Sequence, residues 1–76
     1  MDIEIWGKNF CPYCEESKIL LEEAGLEYRY RLLGEDFTAE EAREEFPRSS
    51  TYPKILMDGH WIGGYTELVK ILSPDE

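Results

Sequence analysis

The spacing of apolar and polar residues changes repeatedly along the chain, and each change predicts a new element. Asp2 to Trp6 carries the apolar run Ile3-Glu4-Ile5-Trp6 and reads as a buried strand. Gly7-Lys8-Asn9-Phe10 is the loop that leads to Cys11. From Pro12 to Ala24 the period becomes helical. Tyr13, Ser17, Leu20, Leu21 and Ala24 share one face, and Glu15, Glu16, Lys18, Glu22 and Glu23 face water. Gly25 ends that helix. Leu26 to Leu33 alternates Tyr28, Tyr30 and Leu32 against Arg29 and Arg31, the period of a second strand, and Gly34-Glu35-Asp36 breaks it. Thr38-Ala39-Glu40-Glu41 is a capping box that starts a second helix, which stops before Pro47. Arg48-Ser49-Ser50-Thr51 is a loop. Ile55-Leu56-Met57 and His60-Trp61-Ile62 flank Asp58-Gly59, a two-residue hairpin signal. Gly63-Gly64 frees the backbone for a sharp turn into a last helix, Tyr65 to Leu72, with Leu68, Ile71 and Leu72 inward. Pro74-Asp75-Glu76 is expected to fray.

The predicted order is β-α-β-α-β-β-α, an α/β chain. One helical crossover makes the first two strands parallel, and the hairpin adds two antiparallel ones. That gives a four-stranded mixed sheet flanked by helices. No repeat, linker or low-complexity segment interrupts the pattern, so residues 1–76 are expected to form a single domain.

Composition narrows the function. A chain of 76 residues buries a limited core and often needs a staple. Its two cysteines, Cys11 and Cys14, are a poor one, because a bridge across two residues closes almost no loop. Structural zinc usually takes four ligands, and this pair has only His60 to join it. No metal is therefore expected, and His60 reads as a hairpin surface residue. Acidic residues outnumber basic ones 17 to 8, for a net charge of −9. That excludes a nucleic-acid groove, which needs a basic stripe. It is compatible with acidic, solvated helix faces and with steering toward basic patches on protein partners. No signal peptide precedes Met1-Asp2-Ile3, and no apolar run approaches membrane length. A free dithiol under those conditions fits a reducing cytoplasm.

The chemistry points to Cys11-Pro12-Tyr13-Cys14 at the mouth of the first helix. Pro12 suits the first helical position, because the N–H it lacks would have no intrahelical partner there. Cys11 then falls at the N-cap, where its sulfur can accept from the N–H groups of Tyr13 and Cys14 and where the helix dipole favours a thiolate. Cys14, one turn in, should be shielded. Thiol–disulfide exchange needs an accessible thiolate and a second thiol able to displace the mixed disulfide. Cys11 would attack and Cys14 resolve; two inert core cysteines are the competing reading. Lys8 is open to two readings as well. It either stabilises the thiolate or a substrate carboxylate, or is a solvated loop lysine. Tyr13 either packs a substrate or covers the helix. Thr51-Tyr52-Pro53 precedes a strand expected beside the first, and leaves backbone groups free to pair with an added peptide. Taken alone, the Tyr52–Pro53 bond is expected trans, since only about 5–6% of X-Pro bonds are cis. Gly63-Gly64-Tyr65-Thr66-Glu67 offers either a carboxylate site at a helix N-terminus or a simple cap by Thr66.

Together these stations resemble the glutaredoxin family: Lys8-Asn9-Phe10-Cys11-Pro12-Tyr13-Cys14, then Thr51-Tyr52-Pro53-Lys54-Ile55-Leu56, then Gly63-Gly64-Tyr65-Thr66-Glu67. The likeness covers nearly the whole chain, and Cys-Pro-Tyr-Cys is the typical dithiol signature. The resemblance implies a thioredoxin-like fold. It implies a glutathione-dependent disulfide oxidoreductase that reduces protein disulfides and protein–glutathione mixed disulfides through Cys11 and Cys14. Ribonucleotide reductase is a client it suggests. Carried over by residue, Cys11 is the nucleophile and Cys14 the resolving thiol, and Pro53 is the cis-proline. Tyr52 offers its backbone to the cysteinyl unit of glutathione. Lys8 meets the glycine carboxylate, and Gly64, Tyr65 and Thr66 hold the γ-glutamyl end. Arg48 is a further carboxylate contact suggested by charge alone. The family usually has Val where Tyr52 stands, and an Asp is common where this chain has Thr66 and Glu67. Glutathione is then a reducing co-substrate, no cofactor is tightly bound, and the protein is a colourless monomer. Two alternatives follow from the same residues: a redoxin recharged by thioredoxin reductase, and a glutathione-bridged iron–sulfur module, against which Pro12 counts.

Overall fold

The computed structural model describes residues 1–73; the predicted fraying of Pro74-Asp75-Glu76 lies outside them. The elements are β1 (Ile3–Gly7), α1 (Pro12–Glu23), β2 (Arg29–Leu32), α2 (Ala39–Glu45), β3 (Lys54–Met57), β4 (His60–Gly63) and α3 (Tyr65–Leu72). The sheet order is β2-β1-β3-β4. β1 pairs parallel with β2, placing Ile5 opposite Tyr30, and antiparallel with β3, placing Ile5 opposite Ile55. β3 and β4 form the predicted hairpin over Asp58-Gly59, with both turn residues at positive φ.

Alternation along β1 divides the core. Ile3 and Ile5 point to one face and pack with Leu21 of α1, Ile55 of β3 and Leu68 of α3. Burial of each such side chain contributes about 1.5–3 kcal/mol. Trp6 points to the other face and packs with Phe37, Ala42 and Phe46 beneath α2. Its ring lies 4.5 Å from Phe37 and 5.1 Å, edge-on, from Phe46. Glu4 on the same face accepts from Trp6 Nε1 at 2.8 Å and pairs with Arg29 and Arg31 of the edge strand β2, so its half-buried carboxylate is not left without partners.

Four predicted details differ. The second strand is shorter than Leu26 to Leu33. Gly25, at φ 74, turns the chain out of α1, and residues 26–28 are spent returning to the sheet before pairing begins at Arg29. Helix α1 closes at Glu23 with Ala24 as its cap, and β1 begins at Ile3 rather than Asp2. Ile71 is 46% exposed instead of inward. Leu68 and Leu72 form the i,i+4 row that meets the core, and Ile71 falls beside that row.

Candidate active site

The loop after β1 delivers Cys11 to the N-terminus of α1. Gly7 has no room for a side chain: a β-carbon there would lie 2.6 Å from Tyr30 Cζ. Phe10 takes a left-handed conformation (φ 57) with a fully exposed side chain, and this turn brings the chain to Cys11. Cys11 is the N-cap, extended at φ −126 and ψ 98, and Pro12 follows it at the first helical position. The Cys14 N–H donates to Cys11 Sγ at 3.2 Å. The expected second donor, Tyr13 N–H, makes no such bond, because an N-cap acceptor here reaches the third helical amide rather than the second. Cys11 and Cys14 are joined as a disulfide. Cys11 is 8% exposed and Cys14 fully buried, so Cys14 is shielded as expected and Cys11 is only slightly more open.

Two other segments meet α1 at this end. The Tyr52–Pro53 peptide is cis, as the family resemblance implied and the general frequency of X-Pro bonds did not. Gly64, the N-cap of α3, approaches it so closely that a β-carbon would sit 3.1 Å from the Pro53 carbonyl oxygen. Tyr13, Tyr52, Pro53, Gly64, Tyr65 and Thr66, all singled out from sequence, line one groove of about 210 Å³ together with Thr51 and Glu67. The rings of Tyr13 and Tyr65 stack across it. Lys8 is exposed, with Nζ 5.7 Å from the centre of the Tyr52 ring. Arg48 lines two cavities flanking the same loop. His60 is an exposed hairpin residue.

Two residues that matter here escaped the sequence reading. Glu67 caps α3 in place of Thr66: its Oε1 accepts from Gly64 N at 2.8 Å. That backbone bond holds its carboxyl below the usual range. The signal was present, since Glu67 stands three residues after the N-cap in capping-box spacing. Lys54 is the other. It is 2% exposed, and its Nζ donates to Ser49 O at 3.0 Å, Ser49 Oγ at 3.1 Å and Thr51 O at 2.9 Å. The ammonium also lies 4.6 Å from the Tyr52 ring centre. Burial pushes its pKa down. Lys54 thus ties the loop that precedes the cis peptide to the first residue of β3. Among the described residues no group of three or more His, Cys, Asp or Glu is arranged to hold a metal ion.

Residues 3–62 match the family model described as Glutaredoxin. The chain is 36% identical over 69 residues to glutaredoxin 3 of Escherichia coli (strain K12), covering 88% of this chain and 81% of that protein. It is 37% identical over 71 residues to the hybrid peroxiredoxin hyPrx5 of Haemophilus influenzae, covering 93% of this chain but only 29% of that protein. The solved structure of reduced Escherichia coli glutaredoxin superposes with a TM-score of 0.79 at 29% identity, over 99% of this chain and 96% of that one. The mixed sheet with its three helices is the thioredoxin-like arrangement expected from the resemblance.

Proposed function

The chain belongs to the glutaredoxin family and is a thiol–disulfide oxidoreductase, and we propose that glutathione is the thiol that keeps its Cys11–Cys14 pair reduced. The observation that carries this reading is the groove beside the disulfide, where residues from three distant parts of the sequence converge. It has the features that an extended γ-glutamyl tripeptide needs. The Tyr52 backbone before the cis peptide pairs with the cysteinyl unit. The amides of Tyr65 and Thr66 at the start of α3 receive the γ-glutamyl carboxylate. Lys8, drawn in beside Tyr52, meets the glycine carboxylate.

In the reaction, the Cys11 thiolate attacks a protein disulfide or a protein–glutathione mixed disulfide. A bond forms to Cys11 Sγ and the old S–S bond breaks, releasing a thiolate. For a protein disulfide, Cys14 then attacks Cys11 Sγ and frees the second thiolate, leaving the Cys11–Cys14 disulfide. For a glutathionylated protein, a glutathione thiol takes glutathione from Cys11. Two glutathione molecules restore the dithiol and leave as glutathione disulfide. Ribonucleotide reductase is a client of the proposed kind, and the proposed working form is a cytoplasmic monomer.

The test is turnover of the mixed disulfide between glutathione and 2-hydroxyethanethiol, with glutathione plus its reductase or with thioredoxin reductase as the electron source. Glutathione should support turnover and thioredoxin reductase little. Faster turnover with thioredoxin reductase would replace glutathione as the donor.

A further inference from the structure

A second cavity, larger than the groove beside the cysteines, lies on the other side of Tyr52. It has a volume of about 620 Å³ and lies between α2 and the loop that precedes Pro53. Its apolar floor includes Ala42 and Phe46, and Arg43 and Arg48 stand at its exposed rim. No Asp or Glu lines it, although the chain carries 17 of them. The sorting comes from α2 itself. Glu41, Glu44 and Glu45 line a different cavity with Arg31, while Ala39, Ala42 and Arg43 turn toward this one.

The charges at this place are unspent. The ion pairs among the described residues use Lys18, Arg29 and Arg31, and neither Arg43 nor Arg48 takes part in one. The cavity also neighbours the groove. Tyr52 forms a wall of both, and its ring carries Lys54 Nζ at 4.6 Å and Lys8 Nζ at 5.7 Å. Arg43 is near enough to oppose the rise that burial imposes on the Tyr52 hydroxyl. Lys8, Lys54 and Arg43 therefore gather about Tyr52, in a protein whose net charge is −9.

We propose that this cavity is an accessory subsite for an acidic segment of a client polypeptide, recognised by Arg43 and Arg48 while the neighbouring disulfide of the client reacts at Cys11. An extended client laid along Tyr52 spans about 3.3–3.6 Å per residue. Carboxylates a few residues from its cysteine then reach the rim beyond the Tyr52 ring. The proposal rests on the thiol chemistry of Cys11 and Cys14 and is independent of which reductant recharges them. In the step concerned, two electrons pass from the Cys11–Cys14 dithiol to the client. The client S–S bond breaks to give two thiols, and the Cys11–Cys14 bond forms.

The experiment mixes the reduced full chain with three peptide disulfides whose flanking residues are Glu, Ser or Lys, without glutathione, and follows a single turnover. The wild type should react fastest with the Glu-flanked peptide. Arg43→Glu should slow that peptide by about five-fold, leave the Ser-flanked one within about two-fold and speed the Lys-flanked one. Arg43→Gln should fall between, and added salt should shrink the differences. Reduction of 2-hydroxyethyl disulfide should stay within about two-fold in both variants, as expected of an exposed charge away from the reacting sulfurs. Equal rates for the three peptides with the wild type would overturn the proposal. So would an Arg43→Glu effect of the same size on all three, or one as large on the small disulfide; that last result would place Arg43 in the glutathione groove instead.

Discussion

The Tyr13 ring lies nearly parallel to the Tyr65 ring, with centroids 5.2 Å and planes 13° apart. This stack joins the first turn of α1 to the first turn of α3 across the mouth of the groove, and Tyr13 is 60% exposed in it. An aromatic pair of this kind contributes about 0.5–1.5 kcal/mol beyond its buried area. Tyr13→Ala should loosen the first turn of α3, whose amides the proposed γ-glutamyl contact uses, and raise KM for a glutathione mixed disulfide by about two-fold or more with kcat little changed. Tyr13→Phe keeps the ring and should resemble the wild type. Steady-state kinetics of both variants decide it, and an equal loss in Tyr13→Phe would assign the effect to the hydroxyl.

The two cysteines should separate by function. Cys11→Ser should abolish activity toward every disulfide, since it removes the attacking sulfur. Cys14→Ser should keep deglutathionylation, which one thiol can perform, and lose reduction of intramolecular protein disulfides. Parallel assays on a glutathionylated protein and on a protein disulfide distinguish the two. Equal loss of both activities in Cys14→Ser would merge the roles.

Lys54 should prove a positioning residue. Lys54→Met removes three donated hydrogen bonds to Ser49 and Thr51, but it also removes a desolvated charge, and the two effects offset one another in stability. What is lost is the tie that holds the 49–51 loop ahead of Tyr52. Amide exchange in that loop should accelerate and KM for the mixed disulfide should rise, while the melting temperature moves little. A large drop in melting temperature with unchanged KM would mark Lys54 as structural only.

Stability should fall in strong base. The Tyr28 hydroxyl donates to Glu22 Oε2 at 2.7 Å, and burial together with that bond pushes its pKa up from 10.0 to about 12. Its folded pKa exceeds its unfolded one, so the contribution is complete below pH 10.0 and is lost as pH climbs toward 12. Lys54 has the opposite sign. Its folded pKa is lowered from 10.5, so the unfolded chain holds the extra proton below that pH and stability gains as pH rises toward it. Above pH 10.5 the tyrosine effects remain, Tyr28 with smaller contributions of the same sign from Tyr30 and Tyr52, whose hydroxyls burial also pushes up. Tyr28→Phe should flatten the decline in melting temperature above that pH. A slope unchanged by this substitution would shift the cause to another group.

Much of this was legible in the sequence because local signals and the tertiary result agree. The Thr38 capping box forms both of its bonds, Glu41 N to Thr38 Oγ1 at 3.1 Å and Thr38 N to Glu41 Oε1 at 2.8 Å. Each is settled within four residues. Asp58-Gly59 made the hairpin equally clear. Lys54 was illegible for the opposite reason. A lysine reads as solvent-facing, and only the fold of the 49–51 loop supplies acceptors around it. Phe10 carries no local mark of a left-handed backbone, which Gly or Asn would have announced. Strand length and the exposure of Ile71 depend on where the sheet and its covering helices end, which periodicity does not record. The groove lining was legible residue by residue, whereas the separate cavity on the other side of Tyr52 needed the helix face that α2 turns inward.

The amide that caps α1 also bears on which bond breaks. Cys14 N–H already points at Cys11 Sγ in the oxidised protein, so the donor is in place before any electron arrives. Such a donor favours the anion in both directions of exchange. It stabilises the Cys11 thiolate as an attacking group, and it lowers the cost of expelling the same sulfur when a second thiol attacks the partner. Cys11 is therefore a good leaving group as well as a nucleophile. A mixed disulfide at this sulfur is short-lived once an outside thiol attacks the partner's sulfur, because the helix holds the charge left on Cys11.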